Sequence, residues 1–220
     1  MPESNNQKRK VALFGGTFDP VHEGHLEVAE RAVDSLGLDQ VVFLPCRQSP
    51  HKSQVTGASE QQRLEMLKLA TASARWAEVS DWEYHQPSPS FSWRTAEAFR
   101  ELKGDCRLFW LMGWDQWEVL PSWNRFEYLA ELVEFIVHAR DGNSGRMVSY
   151  SGARVDYVRG EHPASSSEVR CLMSAGQSLP SGWLSPEVAD FVKEHRLYLC
   201  LLYTSPSPRD QRGSRMPSSA

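Results

Sequence analysis

The chain has 220 residues, 24 Lys and Arg against 28 Asp and Glu, a formal net charge of −4, and 40% hydrophobic residues. That length and apolar content suit one α/β domain with a full core, and the mild acidity argues against general nucleic-acid binding. No apolar run is long enough to cross a bilayer. The first ten residues are a polar extension without the apolar segment of a signal peptide, so the expected location is the cytoplasm. Cys46, Cys106 and Cys171 are scattered without metal-type spacing and read as reduced and structural, with no metal site expected.

Val11-Ala12-Leu13-Phe14 predicts a buried strand, Gly15-Gly16 a tight turn, and Leu26, Ala29, Val33 and Leu36 the inner face of a helix. A strand, a glycine turn and a helix in succession form a site for phosphate. The glycines let the backbone approach a ligand closely, and the first helical N–H groups favour an anion. His22 and His25 are spaced so that both face one ligand. Val41-Val42-Phe43-Leu44 predicts a second strand that stops at Pro45. Ser59, with Gln62 as its capping-box partner, opens a helix whose inner face carries Leu64, Leu67 and Ala74. A weaker strand is expected at 77–81, a helix from Ser92 with Ala96 and Phe99 inward, and a strand at 108–112 that ends at Gly113. Strands at 132–137 and 154–158 follow, then a helix with Ser185 as N-cap and Pro186 at its first position, running to about His195.

Strands that are continuously apolar are buried on both faces. With helices between them they imply a Rossmann-like, doubly wound, mostly parallel sheet with helices on both faces, folded as one domain over 11–199. Ligands then bind beyond the carboxyl ends of the strands, where the opening motif lies.

Thr17-Phe18-Asp19-Pro20 followed by His22-x-Gly24-His25 resembles the signature of the HxGH nucleotidyltransferases. Later segments resemble the bacterial nicotinate-nucleotide adenylyltransferases of that superfamily. Pro50-His51-Lys52 is similar to their Pro-His-Lys element, and Lys52 would set a point charge on triphosphate oxygens. The stretch from Pro89 to Thr95 is similar to Pro-Ser-Tyr-Thr-x-Asp-Thr, with Phe91, Ser92 and Arg94 as departures. Gly113-Trp114-Asp115 with Trp123 resembles their Gly-Ala-Asp turn and downstream Trp, with Trp114 in place of a small residue and expected to reshape that wall. Arg140-Asp141-Gly142 resembles Arg-Pro-Gly, and Ala164-Ser165-Ser166-Ser167-Glu168-Val169-Arg170 resembles Ile-Ser-Ser-Thr-x-Ile-Arg.

The resemblance implies transfer of AMP from ATP to nicotinate mononucleotide, giving deamido-NAD and pyrophosphate. It assigns Gly15, Gly16, Thr17, Phe18, Ser166 and Ser167 to ATP, and His22, His25, Lys52 and Arg170 to ATP and to catalysis. It assigns Thr95, Asp115, Trp123 and Arg140 to the mononucleotide. Mg²⁺ is expected to arrive with ATP, because no carboxylate cage is visible, and Asp19 reads better as a turn-stabilising residue than as a metal ligand. Nicotinamide mononucleotide or phosphopantetheine as acceptor, a non-catalytic regulator on the same fold, and a homo-oligomeric state all stay open. Residues 200–220 back-translate to two blocks of a transposase sequencing adapter in the right order and are expected to be an artefactual, disordered tail; composition alone also fits a natural Pro/Ser/Arg tail.

Overall fold

The computed structural model describes residues 8–48, 57–139, 148–160 and 162–199. Lys52, Arg140 and the 200–220 segment lie outside the described residues. Six strands run β1 (Arg9–Gly16), β2 (Gln40–Pro45), β3 (Ala77–Val79), β4 (Cys106–Gly113), β5 (Glu134–Ala139) and β6 (Val155–Arg159). They form one sheet in the order β3-β2-β1-β4-β5-β6, with every neighbouring pair parallel. The helices are α1 (Glu23–Leu36), α2 (Glu60–Thr71), α3 (Ser92–Lys103), α4 (Trp114–Glu118), α5 (Phe126–Leu132), α6 (Ser166–Ser174) and α7 (Pro186–Glu194).

The pleat sorts each strand's side chains into two apolar layers. Ala12 and Phe14 of β1 join Phe109 and Leu111 of β4 on one face, where Val28, Ala29 and Ala32 of α1, Leu67 of α2 and Val188 of α7 cover them. Val11 and Leu13 join Leu108 and Trp110 on the other face, under Phe99 of α3, Trp117 of α4 and Leu129 of α5. Both faces of the sheet are therefore covered, which is why the strands read as unbroken apolar runs.

The chain's direction of travel across the sheet reverses between β1 and β4. Gly16 is in register with Pro45, and Gly113 with His138, so the strands end along one rim. That rim at the reversal point is the place such sheets offer to ligands.

Local signals at helix starts largely correspond to what forms. Ser59 caps α2: its Oγ accepts from the Gln62 N–H at 3.3 Å, and the Gln62 Oε1 accepts from the Ser59 N–H at 2.9 Å. Replacing Ser59 with alanine is expected to lower unfolding free energy by about 1 kcal/mol, measured as a shifted urea midpoint with unchanged slope. Two expectations need correction. Ala74 lies beyond the end of α2, and Leu132 closes α5 rather than opening β5. The helix expected from Ser92 begins at that residue, with Phe91 as its N-cap and no side-chain cap hydrogen bond.

Candidate active site

A cavity of about 490 Å³, within the range that holds small-molecule ligands, opens on the rim at the ends of β1 and β4. One end is built from the turn that joins β1 to α1. Phe18 takes a left-handed backbone (φ 49°) and buries its ring, 2% exposed, edge-on to His25 at 5.0 Å. Gly16 is required beside it, because a Cβ there would come within 2.9 Å of the Phe18 ring. His22 is the extended N-cap of α1 and 8% exposed. Its ring lies 3.7 Å from that of His25, centroid to centroid. A Cβ at Gly24 would stand 3.0 Å from the His22 ring and 3.3 Å from that of His162, which accounts for the glycine between the paired histidines.

The His25 ring is oriented by the main chain. Its Nδ1 accepts the His22 N–H at 3.2 Å. Nδ1 therefore carries a lone pair, and the proton of the neutral ring sits on Nε2. The Glu23 N–H is taken by the Trp183 carbonyl and the His25 N–H by the His22 carbonyl, so what this end of the cavity presents is the His25 Nε2–H and the partial positive charge of the α1 N-terminus.

Other elements brace the turn from behind. Arg63 of α2 is fully buried and donates from Nη1 to the Thr17 carbonyl at 2.7 Å. The carboxylate of Asp19 accepts from the main-chain N–H groups of Gly57 and Ala58, so it stabilises the turn as the sequence suggests. At the start of α6, the Ser166 hydroxyl donates to the Pro20 carbonyl at 2.9 Å and Arg170 Nη1 to the Asp19 carbonyl at 2.6 Å. Ser166, Ser167 and Arg170 all line the cavity.

At the far end the wall comes from β4, α4 and the loop before α3. Asp115 sits in the first turn of α4, next to Gly113, where a Cβ would meet Asp115 Oδ1 at 2.8 Å. Trp123 stands edge-on to Trp110, with ring centroids 6.5 Å apart. Ser92, at the start of α3, contributes to the wall as well, so that helix's first N–H groups lie next to the cavity. Glu83 lines the cavity beside them; it is 4% exposed, and its carboxyl accepts from the Thr95 hydroxyl at 2.7 Å. Burial raises its pKa above the ordinary carboxylate value, a shift that the hydrogen bonds from Thr95 and Ser90 oppose.

Among the residues singled out from sequence, Gly15, Gly16, Thr17, Phe18, His22, His25, Asp115 and Trp123 are thus brought onto one cavity with the α6 residues. Thr95 is different: it is 1% exposed and is not among the residues that line the cavity, and its hydroxyl donates to Glu83, which does line it. Trp114 does not reshape the wall as expected. It is buried against Tyr157, with ring centroids 6.1 Å apart, because the first turn of α4 points it toward β6. Arg94 stacks over Phe91 and Trp93 at 5.1 and 5.2 Å, away from the cavity. Sequence reading missed Arg63, Glu83 and His162. Arg63 had one available signal, its position four residues before the inward Leu67.

The cytidylyltransferase-like family model matches residues 13–172. A protein of Methylacidiphilum infernorum named probable nicotinate-nucleotide adenylyltransferase is 37% identical over 86% of this chain and 92% of its own. One of the same name from Synechococcus is 35% identical over 90% and 99%. Among solved structures, the Plasmodium falciparum nicotinic acid mononucleotide adenylyltransferase complexed with NaAD shares the fold, with a TM-score of 0.71 at 18% identity over 86% of this chain and 97% of that one. The HxGH turn, the parallel sheet that carries it and these relatives agree: the chain belongs to the cytidylyltransferase-like family, in the group of the nicotinate-nucleotide adenylyltransferases.

Proposed function

We propose that the chain transfers the adenylyl group of MgATP to nicotinate mononucleotide, releasing pyrophosphate and forming deamido-NAD. The observation that carries this reading is the continuity of one cavity from the His22–His25 pair to Asp115 and Trp123, which gives a polyphosphate end and an aromatic end. The names of the relatives at 35–37% identity support the choice of acceptor.

The acceptor's 5′-phosphate oxygen attacks the α-phosphorus in line with the departing pyrophosphate. That oxygen is ionised near neutral pH, so the reaction needs no general base. Catalysis is then positioning plus charge stabilisation. His25 donates from Nε2 to a phosphoryl oxygen whose charge grows as the bond breaks, with its ring held by the His22 N–H. Thr17 stands at the α-phosphate, and Arg170 and Lys52 offset charge on the β and γ groups.

Mg²⁺ enters as part of the nucleotide. Among the described residues no group of three or more His, Cys, Asp or Glu is placed to hold a metal ion, and the Asp19 carboxylate already takes main-chain donors on both oxygens. Trp123 lies flat against the pyridine ring, and the N–H groups at the start of α3 receive its carboxylate. Trp123→Ala is expected to raise the acceptor KM about tenfold, the value of one lost aromatic stack, with the KM for ATP nearly unchanged in steady-state assays.

Among the described residues no helix is long and apolar enough to cross a membrane.

The deciding experiment follows pyrophosphate release from MgATP with nicotinate mononucleotide, nicotinamide mononucleotide or phosphopantetheine. Release fastest with nicotinate mononucleotide is the expected result. A preference for another acceptor would discard this substrate, and ATP binding without release would discard the enzymatic reading.

A further inference from the structure

Asp19 is the point at which separated parts of the chain converge. It lies midway along the turn between Thr17 and His22 and is 5% exposed. Its Oδ2 accepts the Gly57 N–H at 2.8 Å, and its Oδ1 accepts the Ala58 N–H at 3.0 Å and the Tyr198 hydroxyl at 2.8 Å. Tyr198 is 179 positions further along the chain, past the end of α7. Its backbone is in the left-handed region (φ 61°), as is that of Arg196 (φ 52°). Residues with side chains persist there where the surroundings hold them. The Tyr198 ring lies so close to Gly57 that a Cβ on that glycine would come within 2.8 Å of it. Burial and the neighbouring Asp19 raise the hydroxyl's pKa well above the ordinary tyrosine value, so it stays a hydrogen-bond donor at neutral pH.

We propose that Tyr198 is a positioning residue for adenylyl transfer, its hydroxyl holding, through Asp19, the turn that carries Thr17 and His22. The inference rests on the reading of that turn as the triphosphate site and extends it. Three donors satisfy the Asp19 carboxylate; removing one leaves a buried acceptor site unpaired. The turn then relaxes to regain a partner, and small displacements of groups around a reacting phosphate cost rate steeply. Arg170 and Ser166 grip the carbonyls of the same two residues, Asp19 and Pro20, so the turn is held on its carbonyls by α6 and on its side chain by the last residues past α7.

The test is Tyr198→Phe in the full chain, which keeps the ring on Gly57 and removes only the hydroxyl. Expected are a fall in kcat of about tenfold, an acceptor KM within about twofold of the parent, and faster amide hydrogen exchange confined to residues 17–22. Tyr198→Ala, which also removes the ring, is expected to lower the melting temperature in addition. Kinetics equal to the parent's would overturn the proposal. A rise in both KM values with unchanged exchange at 17–22 would overturn it too, because it would mean general loosening. If the parent itself released no pyrophosphate with any acceptor, the assigned reaction would fall. The exchange rates of the two proteins at 17–22 would still decide whether Tyr198 holds the turn.

Discussion

His25→Ala is expected to lower kcat by about 10²–10³-fold, the usual cost of removing one preorganised donor to a developing charge, while the protein stays folded. Stability is spared because the position is helical and alanine is the best helix former. The losses include one acceptor for the His22 main-chain N–H, the ring contact with His22 and the edge contact with Phe18. His25→Gln keeps an N–H donor on a side chain of similar reach and should fall between parent and alanine variant. Pyrophosphate release together with a thermal melt separates the two effects. Near-normal turnover in the alanine variant would remove His25 from the mechanism.

Arg63→Met should show the opposite profile, a binding defect with little change in stability. The guanidinium is fully buried and forms no ion pair with a carboxylate among the described residues; its contacts are the Thr17 carbonyl and the Tyr84 ring at 5.4 Å. Keeping a cation in such a place is costly, and an apolar side chain of similar volume often restores stability. A polyanion bound above the turn adds an opposite charge to those already around this guanidinium. Methionine is therefore expected to weaken MgATP binding by about 30-fold, or about 2 kcal/mol, a typical share for a hydrogen bond to a charged group. Unfolding free energy should stay within about 1 kcal/mol of the parent. Calorimetric titration and urea denaturation measure the two quantities. A large loss of stability with unchanged nucleotide affinity would show that Arg63 only supports packing.

What the sequence made readable follows from range. β1, the glycine turn and α1 are spelled out by neighbouring residues: an apolar run, two glycines, and histidines spaced for one helical turn. The caps of α2 and α7 are local in the same sense, each a serine whose partner lies three residues on. The region from Trp114 to Leu132 was opaque because α4 and α5 have five and seven residues, too short to show a period, and tryptophans dominate the first of them. Trp114 illustrates the cost: motif spacing put it on the cavity wall, but the helical turn aims it at Tyr157. Arg63 was hidden by its own chemistry, since an arginine at an inward position is ordinarily assigned to the surface. The hydrogen bond between Asp19 and Tyr198 joins opposite ends of the domain and has no local trace at all.

That last contact bears on how the protein is made. The motif that identifies the chain leaves the ribosome before the groups that fix its shape, which come from α2, then α6, then Tyr198. Parallel pairing already delays folding, because each strand waits for its partner across a long crossover. Here the delay extends to activity. A nascent chain halted anywhere before Tyr198 carries both histidines and lacks the last tether of the turn that holds them. Competence for adenylyl transfer is therefore expected to appear only once Tyr198 has emerged, and partial products that end before it should turn over slowly even after their first strands have paired.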